Sequence, residues 1–310
     1  RRKMDRALYV AMTGARETQR QQAINNHNLA NASTTGFRAE LLASTAQAVQ
    51  GPGLPTRVNA AAQSAGWDLR AGSASSLSTS GNAYSITKVG TNQVSLVSIT
   101  NIDAALADID IQAGTFALQN FTGQVGDPNR TIYVRTGSTL SLFNLNANPL
   151  NKIINVTNIG VITNESGSSV ITGPLSILGK VTFGVTNSLT ITNIDSFTNG
   201  IGGAVTNLTK TGTGILTLIS NTLPSSTVID IVSGTIDINQ QSTGPTLALG
   251  AGQLLRGNGN LAGNLQANAG STVAPGETAI GTLTVSNGVV LNGGTTFMKI
   301  SKAANKNGVL

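Results

Sequence analysis

The stretch that decides the fold runs Leu208-Thr209-Lys210-Thr211-Gly212-Thr213-Gly214-Ile215-Leu216-Thr217-Leu218. Leucine and β-branched threonine lead up to the glycines, and after them the alternation Leu216-Thr217-Leu218 follows Ile215. A period of two with glycine punctuation reads as strand, turn, strand. Lys210 stands ahead of the glycines, the reverse of a phosphate-binding loop, so no nucleotide site is read here. Working outward, similar alternations occupy 94–99, 139–145, 189–192, 215–219, 228–231, 235–238, 283–285 and 296–300. Asn or Gly marks the turns between them: Thr157-Asn158, Thr163-Asn164, Thr186-Asn187, Thr192-Asn193, Thr206-Asn207, Ser233-Gly234 and Ser286-Asn287-Gly288. Strand centres recur roughly every 8–12 residues, which fits a sandwich, a barrel or a solenoid. Few charges and stacked Thr, Asn, Val and Ile favour the solenoid, in which each coil buries its face on its neighbours.

Composition supports this and narrows the chemistry. The 310 residues include 36 glycines, one histidine, one tryptophan and no cysteine, and 10% are charged. Without cysteine there is no disulfide framework, Cys-based zinc site or thiol nucleophile. One histidine excludes a multi-histidine metal site. No run approaches the roughly 18 apolar residues of a membrane span. The net charge of +6 is uneven. Residues 1–72 hold nine basic and four acidic side chains, and the remainder ten and nine. Arg6, Arg16 and Arg20 are interleaved with Asp5 and Glu17, and the aromatics of this region are scattered. That is not the basic, aromatic-studded stripe of a nucleic-acid site, so no nucleic-acid partner is expected.

The character of the chain changes near residue 73. Ala, Arg, Gln and Glu before it suit helices. Residues 5–32 form one predicted helix, with Gly14 its only glycine. Leu8, Met12, Ala15, Gln19, Gln22, Asn26 and Leu29 recur at three and four residues, a heptad-like seam. Its polar members bury little, so an isolated helix of this kind is marginal and orders among neighbours. Arg1-Arg2-Lys3 is followed by no apolar stretch of signal-peptide type. Segment 71–82 is small, polar and uncharged, and reads as a boundary.

Two family resemblances rest on particular residues. Met4-Asp5-Arg6-Ala7-Leu8-Tyr9-Val10-Ala11-Met12-Thr13-Gly14-Ala15 resembles the opening of bacterial flagellar basal-body rod proteins. Asn25-Asn26-His27-Asn28-Leu29-Ala30-Asn31-Ala32-Ser33-Thr34-Thr35-Gly36-Phe37-Arg38 is similar to the signature of that family. Arg57-Val58 and Gly66-Trp67-Asp68-Leu69-Arg70 extend the likeness, toward proximal-rod members, over residues 4–72. The resemblance implies a non-enzymatic subunit that packs helically with other rod subunits and leaves the cell by the flagellar export apparatus. It assigns assembly to Leu8, Met12, Asn26, Asn28, Leu29, Asn31, Thr35, Gly36 and Phe37, with Gly36 suited to a left-handed helix cap. It also implies a second long helix at the far end, which the residues 297–310 do not supply. The 208–218 stretch, together with Val232-Ser233-Gly234-Thr235-Ile236 and Val273-Ala274-Pro275-Gly276, looks like the repeat of autotransporter passengers over roughly 204–302. That likeness implies a right-handed parallel β-helix displayed at the bacterial surface.

Catalytic equipment is sparse. Asp108 and Asp110 lie two apart, with Asp103 nearby, and paired carboxylates can serve acid–base chemistry or bind Ca²⁺. Asp230 and Asp237 fall on different predicted strands. Solvated faces and Asn ladders between stacked coils account for these residues more simply than a polysaccharide-cleaving site.

The combined expectation is a mainly β chain: an N-terminal α-helix followed by a parallel β-solenoid (β-helix). Its parts are a rod-type helix and signature at 1–40, an extended rod-type region at 41–82 and a passenger-like solenoid at 83–310. The function expected is that of a non-enzymatic structural protein of the bacterial envelope, in the basal body or at the cell surface. The partners expected are rod subunits for the helix or surface ligands for the solenoid, with no catalytic residue, cofactor or metal. Two such different compositions also predict segments of separate origin joined near residue 73.

Overall fold

A computed structural model describes residues 6–31, 39–48, 58–67, 76–198, 206–219, 227–241, 244–276, 279–301 and 306–307. The chain divides into two compact units, Arg1–Ala74 and Ser75–Leu310. In the first, helix α1 (Arg6–Ala30) is followed by strands β1 (Glu40–Ala48) and β2 (Val58–Trp67), which pair antiparallel with a register shift between Leu41 and Leu42. The helix stops two residues short of the expected end at residue 32. Asn31 closes it, its backbone N–H and its side-chain amide both donating to the His27 carbonyl. That satisfies a carbonyl that a helix end otherwise leaves unpaired.

The second unit is a parallel β-solenoid. Its longest sheet stacks ten strands: Gln93–Val97, Thr115–Gln119, Thr139–Phe143, Gly160–Ser166, Lys180–Val185, Asn207–Thr211, Val228–Ile231, Leu254–Gly257, Thr272–Pro275 and Thr295–Thr296. A second sheet stacks Ile86–Lys88, Ile109–Ile111, Thr131–Val134, Ile153–Thr157, Leu175–Leu178 and Ile194–Thr198. A third begins at Ser168–Ile171 and ends at Thr284–Val285, again with six strands. Every pairing in these three sheets is parallel, and consecutive strands of the chain fall in different sheets. One coil therefore visits Ile153–Thr157, Gly160–Ser166 and Ser168–Ile171 before the next starts at Leu175.

Alternation along each strand places every second side chain inside. The parallel register then stacks like on like from coil to coil. Phe116, Leu140, Ile162 and Phe183 form one interior column, and Ile111, Val134, Val156 and Ile177 another. All eight are buried. The core is thus a continuous apolar thread rather than a single centre, and each coil contacts chiefly the coils before and after it.

Expected and observed strands agree to within about a residue at five of the eight positions, for example 189–192 against Ser188–Ile191 and 228–231 against Val228–Ile231, whereas the expected strand 296–300 is divided between Thr295–Thr296 and Ile300–Ser301. Alternation also missed many strands, among them Thr115–Gln119 and Lys180–Val185. One expected turn is corrected. Thr163-Asn164 lies inside the strand Gly160–Ser166, with Asn164 buried. Its amide donates to the carbonyls of Gly167 (2.7 Å) and Ser188 (3.0 Å) and accepts from Ser169 Oγ (2.6 Å). A fully bonded amide can occupy a core position that an unbonded one could not.

Asn ladders do form at a corner of the solenoid. Ser98, Asn120, Asn144 and Gly167 each follow the last paired residue of stacked strands, and all have left-handed φ between 51° and 61°. Asn120 donates to Ser98 Oγ at 3.0 Å, and Asn144 donates to Asn120 Oδ1 at 3.5 Å. Asn tolerates this conformation better than most residues. At Gly167 a Cβ would meet Asn144 Cβ at 2.9 Å, so the column ends in the residue that has none.

Candidate assembly surface

Helix α1 carries two stripes. Val10, Thr13, Glu17, Ile24, Asn28 and Asn31 are partly buried, and the helix packs on β1 and β2 within its own unit. The other stripe is the heptad-like seam read from sequence. Leu8 is 49% exposed, Met12 56% and Leu29 78%, and Ala15, Gln19, Gln22 and Asn26 are also exposed. The seam is therefore not the one the helix uses to dock on its hairpin. Uncovered Leu and Met side chains at helical spacing leave apolar surface that a second helix could bury.

The signature residues divide by role. Asn28 donates to the Glu40 carbonyl at 2.9 Å and accepts from the Glu40 N–H at 3.0 Å. Both ends of its amide are thus used within the chain to tie the helix to the start of β1. Asn31 caps the helix as described. Leu8, Met12, Asn26 and Leu29 point out of the unit, and Thr35, Gly36 and Phe37 lie outside the described residues.

The carboxylates raised as catalytic candidates hold structural bonds. Asp108 Oδ1 accepts from the Thr131 N–H at 2.8 Å. Asp110 Oδ1 accepts from Arg135 Nε at 2.6 Å and Oδ2 from Gln112, and the Arg135 bond holds its carboxyl below the usual range. Asp103 accepts from the N–H groups of Gly81, Ala105 and Thr79, which keep it ionised well below the ordinary carboxylate pKa. Asp230 pairs with Arg256 at 2.7 Å in the next coil, and Asp237 caps a turn through the Asn239 N–H. Asp230 and Asp237 sit in different sheets. Among the described residues no three His, Cys, Asp or Glu gather to hold a metal.

The sequence reading missed three buried lysines. Lys210 occupies an interior column between Phe183 and Ile231. Its ammonium donates to the carbonyls of Thr211 (2.7 Å), Gly212 (2.8 Å) and, one coil on, Ser233 (3.3 Å). Lys88 repeats this geometry on Val89, Gly90 and Ala113. Gly212 has φ +78°, and a Cβ there would collide with the Val185 carbonyl, so the turn that aims its carbonyl at the lysine requires glycine. Lys152 donates to the Asp127 carbonyl at 2.7 Å. Burial lowers the pKa of Lys152 and of Lys210 to about 8. The available signal was a lysine at an inward position two residues before a glycine, as in Lys88-Val89-Gly90 and Lys210-Thr211-Gly212.

Comparison with known proteins bears on the head alone. The family model described as "Flagella basal body rod protein" matches residues 8–38. Flagellar basal-body rod protein FlgF of Escherichia coli (strain K12) is 51% identical over 69 residues, and its counterpart in Salmonella typhimurium (strain LT2) is 49% identical over 69. Each match covers 22% of this chain and 28% of the relative, so the chain spans little more than a quarter of the length of these curated relatives. No solved structure matches. No helix among the described residues is long and apolar enough to cross a membrane.

Proposed function

We propose that this chain is a non-enzymatic structural protein of the bacterial envelope. Its head docks onto flagellar rod subunits, and its β-helical body stands as a passenger-like solenoid. The observation that carries the reading is the seam of α1. Leu8, Met12 and Leu29 stay exposed although the helix already has an intramolecular partner on its other side. The likeness of residues 8–38 to rod proteins names the kind of partner such a seam would meet. Basal-body location follows from that partner. The passenger-type repeats of roughly 204–302 support display at the cell surface as the role of the body, and the change of composition near residue 73 supports a fusion of two segments.

The decisive experiment is co-assembly of the full chain with purified proximal-rod subunits. Wild type is expected in the sedimenting assembly, and the triple variant Leu8→Glu, Met12→Glu, Leu29→Glu in the supernatant. Equal sedimentation of the two would sink the rod reading. One uninterrupted locus through residue 73 and a native intact mass equal to the full chain are expected for a natural fusion.

A further inference from the structure

The outer face of the second sheet holds a groove of about 300 Å³. Stacked strands align Tyr133, Asn155, Ser176 and Ser196 in one outward column along it. Thr157, Leu178 and Thr198 form a second column two residues further along the strands. At one end of the groove the side chains are tied together. The Arg135 guanidinium lies 4.5 Å from the Tyr133 ring centroid, and its Nε donates to Asp110 at 2.6 Å. At the far end Ser176 Oγ donates to Asp195 Oδ2 at 3.2 Å.

This lining selects a ligand chemistry. The floor is hydroxyls and one amide: Ser176 and Thr157 already donate their protons, to Asp195 and to the Val134 carbonyl, and are left to accept, while Asn155, Ser196 and Thr198 can both donate and accept. Tyr133 and Leu178 add apolar patches beside them. Among the described residues Arg135 is the only cation lining the groove, and Asp110 already neutralises it. A polyphosphate or other polyanion finds no unpaired charge there and meets Asp195 at the far end. An extended peptide joins a sheet at an open edge, whereas this groove lies on a face. A chain of sugar rings satisfies all of these conditions: many hydroxyls, no charge, and an apolar ring face for Tyr133. Neighbouring strands lie about 4.8 Å apart, close to the length of one pyranose unit, so successive coils can each meet one ring.

We propose that this groove binds a neutral oligosaccharide lying across the coils, from Tyr133 toward Ser196. The proposal is independent of the rod reading, because none of its residues belongs to the head. It is tested by calorimetric titration of the full chain with cellohexaose, chitohexaose and mannohexaose, with the matching monosaccharides and heparin as comparators. At least one hexasaccharide is expected to bind, at least about tenfold more tightly than its monosaccharide. Asn155→Ala and Tyr133→Ala are expected to weaken it about tenfold, and Ser196→Trp, which fills the groove, to abolish it with thermal unfolding unchanged. Absence of binding to all three hexasaccharides, undiminished binding by Ser196→Trp, or a preference for heparin would each overturn the proposal. The head variant carrying Leu29→Glu is expected to bind sugar normally, which separates this test from that of co-assembly.

Discussion

The helix of the head and the coils of the body solve the same problem in opposite ways. Both carry more apolar surface than one neighbour can cover. In the body each coil has two neighbours of its own chain, so Phe183 meets the column above and below it and is fully buried. In the head the hairpin covers one stripe of α1, and Leu8, Met12 and Leu29 are left facing outward. A translational stack is self-sufficient along its length, whereas a single amphipathic helix covered on one stripe leaves the other uncovered.

The comparison breaks most readily at the seam. Deleting residues 4–40 should abolish co-assembly with rod subunits while the strand-rich circular dichroism of the body is retained. Retained assembly after that deletion would make the head dispensable. The next largest effect belongs to the body: Phe183→Ala should cost about 3–5 kcal/mol in denaturant unfolding, because it opens a cavity in the apolar column. Lys210→Met should cost about 1–3 kcal/mol at neutral pH by leaving the Thr211 and Gly212 carbonyls without their donor.

Lys210 also gives the body a pH signature. The folded chain releases its proton near pH 8, whereas the unfolded chain holds it to about 10.5. Between these values the unfolded state binds more protons, so stability rises with pH, and Lys152 adds in the same direction. The denaturation midpoint of the body should be higher at pH 9.5 than at 7.5, and Lys210→Met should flatten the rise. A midpoint that falls over this range would contradict the buried-lysine account. In the head, Asn28→Ala should cost about 1 kcal/mol through its two bonds to Glu40. Smallest of all, Met12→Gln should leave unfolding unchanged within about 0.5 kcal/mol, as for an exposed residue, while still weakening assembly.

Much of this architecture was legible in the residues. Alternation with Asn and Gly turns points to a solenoid because an inward–outward period of two survives in any sheet. It located Val228–Ile231 to the residue. It misread Thr163-Asn164, because Asn is a turn former unless its amide finds internal partners, and one of those partners, the Ser188 carbonyl 24 residues on, is brought near only by the fold. The lysines were passed over for the same reason. The carbonyl of Ser233 that Lys210 reaches is 23 residues away along the chain and adjacent only once coils are stacked. In the head, periodicity marks a stripe along the helix but does not say which of two stripes faces the hairpin. The groove at Tyr133 was not foreseen, since outward columns of Ser, Thr and Asn look in sequence like any solvated face.

The caged lysines carry one more consequence. Three carbonyls converging on a point are a site that a free cation could fill, at an occupancy set by the surrounding solution. Here the cation is tied to the backbone by its own side chain, so its effective concentration at the turn is fixed by the tether. The turns at Gly90 and Gly212 should therefore close equally well in dilute buffer and in concentrated salt.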